Sequence, residues 1–535
     1  MKNRISIFKI LVFTLVATFL SHGLMLFSNS AMWDSLLLVN AKTFGDASAM
    51  KNCIFNTGRR MEYYIALAVF NFSNYIFILK ILSFLLIWGI SVVCFFLIDE
   101  LLDISNWKKL VIVVFSLAIP IYSLWFEPIM FSYTLCLFLF LSAILLYLKS
   151  CKSNSVGKKI VGLSIAVVLF FWSFEIQSFY VFTYAFLFAL FLAEYPTNKK
   201  FIHAVFSFLT QHFILILVPI ISFWMWGKLF PITGMAKVSG YNQISFSVQN
   251  LMYHFGFSCY KIFVMLPMLL SKLAWYNPFT TFFSVLTSGT AAYFFFHKII
   301  NAEKMMKPET EQKSFNFWII CAVALVFFVA ALLPYNLVGK DYGALNRNCR
   351  NGLLTGFGMV LFIVFAILHW VKKPSHQAVL FSVLFICFAT GSNLSYMYWQ
   401  SYFVRFQKTE QLLAKNCSSF QSNYLIINEQ VNNPMHQYFV NYEYNYMCKE
   451  ACGSEKFLAM DEHSGWAKKI DTFLIQTTTY RKIFMFNEFD NKIESPIYIT
   501  LISPPNELFM AEKNVWQYWM NGCDAKDYNL KMNRK

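Results

Sequence analysis

The chain has 535 residues, of which 58% are hydrophobic, 19% aromatic and only 13% charged, a composition that a water-soluble fold of this length has no means of burying. The formal net charge is +16, yet residues 399–535 balance Lys and Arg against Asp and Glu, so the excess lies in the apolar part and argues against nucleic-acid binding. The chain reads as a polytopic membrane protein.

In chain order, apolar runs near the roughly 20 residues needed to cross a bilayer fall at about 5–27, 77–98, 110–125, 129–148, 160–174, 178–193 and 203–228. Others follow near 257–274, 279–296, 315–335, 353–371 and 378–398. Cations crowd the short connections at Lys108-Lys109, Lys149/Lys152/Lys158-Lys159, Lys199-Lys200, Lys298/Lys304/Lys307/Lys313 and Lys372-Lys373, which places those loops and the amino terminus in the cytoplasm. Alternation then fails once. The run at 251–275, interrupted by His254, Lys261 and Lys272, is expected to be re-entrant or interfacial, leaving about 11 spans. The first run is expected to remain as an uncleaved anchor, because its removal would invert every later loop against the Lys/Arg pattern.

The expected organisation is a mostly α transmembrane domain over 1–398, with a first outer loop at about 28–76, and a polar tail over 399–535 on the outer face. In that loop, 31–43 and 61–71 read as amphipathic helices lying on the membrane surface. In the tail, 424–427, 437–440 and 496–502 read as short strands of a small α/β domain. Cys417, Cys448, Cys452 and Cys523 suit disulfides in an oxidising compartment; Cys448 and Cys452 have no Cys/His pair following at zinc-site spacing.

Acids at the outer face are few: Asp34, Asp46, Glu62, Glu127, Glu175 and Asp341. A carboxylate near hydrocarbon is costly unless it is paired or has work to do. Asp34, just past the first span, is placed to act as a general base, with an N-cap or solvated loop acid as the bland reading. Glu127 and Glu175 lie in tight outer turns, where they would bind a cation or sugar hydroxyls with Gln177, or else pair with Arg59 or Arg60 and cap helices. Arg59, Arg60, Arg347 and Arg350 are outward cations suited to phosphate oxygens, or to lipid headgroups. No phosphate-binding Gly-rich loop and no His-Glu-x-x-His helix is present.

Trp33-Asp34, Gly58-Arg59-Arg60, the Glu127 turn and Glu175-Ile176-Gln177-Ser178-Phe179, in that order, resemble the GT-C superfamily of integral membrane glycosyltransferases. More narrowly they resemble the serotype-converting O-antigen glucosyltransferases of bacteriophages and their bacterial relatives. The sequence departs from that family in carrying Asp34 alone where relatives often have paired acids, and in lacking an Arg-Phe-Asp continuation after Glu127.

The resemblance implies transfer of a sugar, glucose by analogy, from a polyprenyl-phosphate donor to lipid-linked O-antigen or a similar glycan at the periplasmic face of the inner membrane. Asp34 would be the base. Arg59, Arg60, Arg347 and Arg350 would hold the donor phosphate, and Glu62, Glu127, Glu175 and Gln177 would position the sugar or a divalent cation (Mg or Mn). Membrane lipids, a small flippase and a donor synthase are the implied partners. The alternative is an O-antigen polymerase or ligase acting on polyprenyl-linked glycans. A transporter, which needs charged residues along its spans, fits less well.

Overall fold

The computed structural model describes residues 6–45, 50–51, 54–194, 201–233, 247–297, 317–430, 438–453, 457–462, 496–503, 511–525 and 529–533. Asp46, Lys199-Lys200, Lys298 and the lysines at 304, 307 and 313 lie outside them.

The protein is mostly helical, as an apolar chain in lipid must be: only a helix or a closed barrel satisfies its own backbone there. Eight described helical stretches are long and apolar enough to cross a membrane, or nine if the bent pair Phe201–Gln211 and Phe213–Leu229, 59° apart, forms one span. The molecule is therefore a multi-pass membrane protein. Ser178–Glu194 and Thr355–Trp370 are shorter apolar helices beside them.

The helices pack closely where small residues allow it. At Gly358 a Cβ would lie 2.6 Å from the Ala324 carbonyl oxygen and 2.7 Å from the Phe328 nitrogen, so Phe317–Asn336 and Thr355–Trp370 meet backbone to backbone. Gly358 is thereby a packing position.

Two expected segments differ in form. The span expected at 110–125 is the helix Asn106–Ala118, 13 residues long and buried along nearly its whole length. At about 1.5 Å per residue it covers roughly 20 Å, and an irregular stretch carries the chain on to Glu127. The segment expected to be re-entrant is one unbroken run of helix, Val248–Tyr276, 29 residues long. It takes up Lys261–Met265 as a π turn. Its length and apolar character would let it cross. Lys261 pairs with Asp341, and the Ser258 hydroxyl accepts the Tyr342 N–H at 3.0 Å. The turn after Tyr276 meets Glu512 of the tail, which accepts the Phe279 and Thr280 N–H groups at 2.7 and 2.8 Å. Middle and end thus both sit at the end of the bundle that carries the 337–354 connection. The opposite end carries the Lys109–Asp99 and Lys152–Glu100 pairs.

The last apolar helix, Pro374–Asn416, runs 43 residues straight through position 399 and becomes the base of the tail. Beyond it lies a four-stranded sheet of β1 (Tyr424–Gln430), β2 (Leu458–Asp461), β3 (Ile497–Ile502) and β4 (Asn529–Asn533), in the order β2-β1-β3-β4. β1 pairs in parallel with β2 and β3, and β4 runs antiparallel to β3. The expected strands at 424 and 496 are present. The one expected at 437–440 is not: Tyr438–Val440 lead directly into the helix Asn441–Cys452, and residue 437 lies outside the described chain.

Two links fasten the tail to the long helix. Cys417 and Cys452 form a disulfide across 35 residues, worth about 3–4 kcal/mol by loop closure. Cys448 and Cys523 are free thiols, so the second pair and the zinc alternative fall away together. The other link is an ion pair. Arg405 Nε lies 3.3 Å from Glu429 Oε1 with both side chains fully buried, and the guanidinium stands 4.3 Å from the Phe439 ring. Removing one member of a buried pair leaves an uncompensated charge. Arg405→Ala is expected to destabilise the detergent-solubilised protein by about 3–5 kcal/mol, read as a lower thermal midpoint, whereas Arg405→Met combined with Glu429→Leu loses far less.

Candidate functional site

Asp34 sits in a 3₁₀ turn, Trp33–Ser35, that links the first apolar helix to Leu36–Phe44. The turn is unusual. Trp33 has φ of 49°, a left-handed conformation rare for a bulky residue and stable only where its surroundings impose it. Those surroundings are explicit. Its indole packs 4.5 Å from Trp399 and 6.0 Å from Tyr402, and the backbone is held from two sides by buried carboxylates.

From the bundle side comes Glu127, whose Oε2 accepts the Ser35 hydroxyl at 2.5 Å and the Met32 N–H at 3.3 Å. The Ser35 hydroxyl in turn accepts the Ile129 N–H at 3.2 Å, so the turn and the start of the helix Phe131–Cys151 are stitched together. Burial raises the Glu127 carboxyl to about 7, against the pull of the Ser35 hydrogen bond and the Lys80 charge. Lys80 is fully buried and donates to the Ser28 carbonyl at 2.7 Å and the Ser30 hydroxyl at 3.1 Å, fixing the approach to the turn. Glu127 therefore partners neither Arg59 nor Arg60; it is a support for the Asp34 loop.

From the tail side comes Glu443. Its Oε1 accepts the Trp33 N–H at 3.4 Å, and its Oε2 accepts the Tyr402 hydroxyl and the Val440 N–H, each at 2.9 Å. Burial raises this carboxyl also, to about 7. The adjacent Tyr442 donates its hydroxyl to Asp34 Oδ1 at 3.4 Å. The opposite oxygen, Oδ2, lies 3.7 Å from Arg350 Nη1. With about a third of its side chain exposed, Asp34 is the carboxylate of this group open to solvent. Arg347 is exposed and acts electrostatically on Tyr442 and Glu443. The structure thus brings Asp34, Arg347 and Arg350 together.

Arg59, Arg60, Glu62 and Glu175 form a neighbouring cluster at the start of the helix Arg60–Val69. Glu175 accepts the Met61 N–H at 2.9 Å and the Glu62 N–H at 3.3 Å, which makes it a helix cap supplied from another element. Burial raises its carboxyl to about 8, and the nearby Glu62 adds to the effect. Glu62 pairs with Arg59 at 3.3 Å and accepts the Ser132 hydroxyl at 2.7 Å; its own carboxyl is raised by burial, with Asp34 among the smaller causes. Ser132 ties this cluster to the same helix start that Ser35 reaches. Arg60 is buried, its guanidinium 3.4 Å from the Phe55 ring, and its Nε and Nη1 have no hydrogen-bond partner among the described residues. Gln177 is exposed and its side chain is not brought into either cluster. Asp341, paired with Lys261 and 3.8 Å from His254, stands apart as a link between helices.

Among the described residues no group of three or more His, Cys, Asp or Glu side chains could hold a metal ion. Asp34, paired with a cation and a phenol, is surrounded by groups suited to a carboxylate rather than to a shared divalent ion. Sequence reasoning missed Lys80, Tyr442 and Glu443. Lys80 had a signal, a lone cation inside an apolar run. Tyr442 and Glu443 had only a helix-start pattern, with the acid at the third helical position, and nothing local tied them to residue 34. No protein-family model matches the chain, and no curated protein is significantly similar to it.

Because Glu175 titrates well above an ordinary carboxyl, the folded state retains a proton that the unfolded chain has released. Its stabilising effect is complete below the unfolded value near 4.5 and is lost as pH rises toward about 8. Thermal midpoints of the solubilised protein are expected to fall over that window, and Glu175→Gln should flatten part of the fall.

Proposed function

We propose that the protein is an integral membrane glycosyltransferase that moves a sugar from a polyprenyl-phosphate donor to a lipid-linked glycan, O-antigen or a similar surface polymer. The observation that carries the reading is a partly exposed carboxylate at one end of an apolar bundle, flanked by arginine and built on a backbone turn that buried acids hold in place. Such a group suits proton abstraction from a sugar hydroxyl next to a bilayer.

In this reading Asp34 takes the proton of the acceptor hydroxyl as its oxygen bonds to the anomeric carbon of the donor sugar. The bond from that carbon to the phosphate oxygen breaks, and the electron pair leaves with polyprenyl phosphate. Arg350 and Arg347 neutralise the growing phosphate charge, which matters more than protonating a leaving group already weakly basic. Arg60, with unpartnered N–H groups, and Arg59 form a second cation pair for the headgroup. Glu62, Glu127 and Glu175 act by holding the Asp34 loop and the neighbouring helix start.

The topology that fits is about 11 crossings. Asn106–Ala118, the bent pair and the two shorter apolar helices each cross, and Val248–Tyr276 lies across the outer face. The amino terminus is then cytoplasmic and the tail periplasmic at a bacterial inner membrane. The Cys417–Cys452 disulfide supports an oxidising location for the tail. A small flippase and a donor synthase would supply the donor.

The deciding experiment is mass spectrometry of surface polysaccharide from a host making wild type or Asp34→Asn at matched membrane levels. A hexose-sized mass gain with wild type and its loss, by about 100-fold or more, in Asp34→Asn are expected. An unchanged repeat mass with altered chain length would replace this reading with the polymerase or ligase.

A further inference from the structure

The polar tail contributes residues directly to the turn that bears Asp34. Two contacts cross between elements some four hundred positions apart. Tyr442 donates to Asp34 Oδ1 at 3.4 Å across 408 positions, and Glu443 accepts the Trp33 N–H at 3.4 Å across 410. Glu443 is itself fixed by Tyr402, on the long helix, at 2.9 Å. We propose that the first turn of the helix Asn441–Cys452 is a built-in part of the site: Tyr442 orients the Asp34 carboxylate, and Glu443 holds Trp33 in the left-handed turn that aims it.

The physical case has two independent strands. A tryptophan at φ of 49° costs on the order of 1–3 kcal/mol, so something must hold it, and the two groups on its N–H side and indole side are Glu443 and the Trp399–Tyr402 pair. Tyr442 donates its hydroxyl directly to the Asp34 side chain. Burial and the carboxylates of Asp34 and Glu443 keep its hydroxyl protonated, hence a donor. A donor on one oxygen and Arg350 on the other fix the plane of the carboxylate and leave its remaining lone pairs directed outward. The Cys417–Cys452 disulfide closes the far end of the same helix onto the long helix, so the helix cannot rotate to withdraw Tyr442. Tyr442 and Glu443 are positioning residues; neither need touch substrate.

What Asp34 does rests on the transfer reading, whereas what holds Asp34 rests on geometry alone, and the test separates the two. Tyr442→Phe removes one oxygen and keeps the ring. Tyr446→Phe, which removes the hydroxyl 3.4 Å from Glu450 on the same helix, controls for damage to the tail. In full-length protein, Tyr442→Phe is expected to lower kcat about tenfold or more with KM little changed, and Tyr446→Phe to leave both as in wild type. The groups facing Asp34 are Arg350 from the 347–352 turn, Tyr442 from the tail helix and, at longer range, Glu62 from Arg60–Val69.

The second readout needs no activity: labelling of Asp34 by a water-soluble carbodiimide, followed by peptide mass spectrometry. Faster labelling in Tyr442→Phe than in wild type or Tyr446→Phe supports the positioning role even if no sugar transfer is found, in which case only the transfer reading falls. Labelling and kcat indistinguishable from wild type in Tyr442→Phe would overturn the proposal.

Discussion

Everything at the functional end of this molecule depends on how buried carboxylates are satisfied in an apolar bundle. Taking a carboxyl out of water costs several kcal/mol unless it finds donors, and here the nearest donors are backbone N–H groups of loops that would otherwise be free to move. Glu127 takes Met32 and Ser35, Glu175 takes Met61 and Glu62, and Glu443 takes Trp33 and Val440. Each acid meets its own need by pinning a loop. Asp34 differs because its partners are side chains and about a third of it faces outward.

This arrangement explains a division of labour that residue type alone conceals. Six acids at one face look interchangeable in a sequence. In the fold, Glu127 and Glu175, joined by Glu443 of the tail, are raised by burial toward neutrality and serve as scaffolding, while Asp341 is paired with Lys261. The scaffold acids and Asp34 separate by burial and by the nature of their donors.

Much of the membrane part was legible because its signal is one-dimensional. A run of about twenty apolar residues specifies a helix without reference to anything distant, and the strands at 424 and 497 announced themselves by alternating and β-branched residues. What was not legible depends on partners far along the chain. The shortness of Asn106–Ala118 reflects its central, buried position, which hydropathy does not register. The strand expected at 437–440 fails because Glu443 starts a helix there. Glu127 lay close to the right loop in expectation, yet its true partners, Met32 and Ser35, are about ninety-five positions away, and Glu443 lies in a segment with no apolar signal at all.

That long separation also sets a schedule. A ribosome adding roughly 5–20 residues per second exposes the Trp33–Asp34 turn well before it makes Glu443, so for something like 20–80 s the nascent chain carries its key carboxylate on an unsupported loop. Glu127 arrives first and secures one side; the other waits for the tail. A chain that stops short of residue 441 already holds the described apolar helices yet lacks Tyr442 and Glu443, the partners of Asp34 and Trp33.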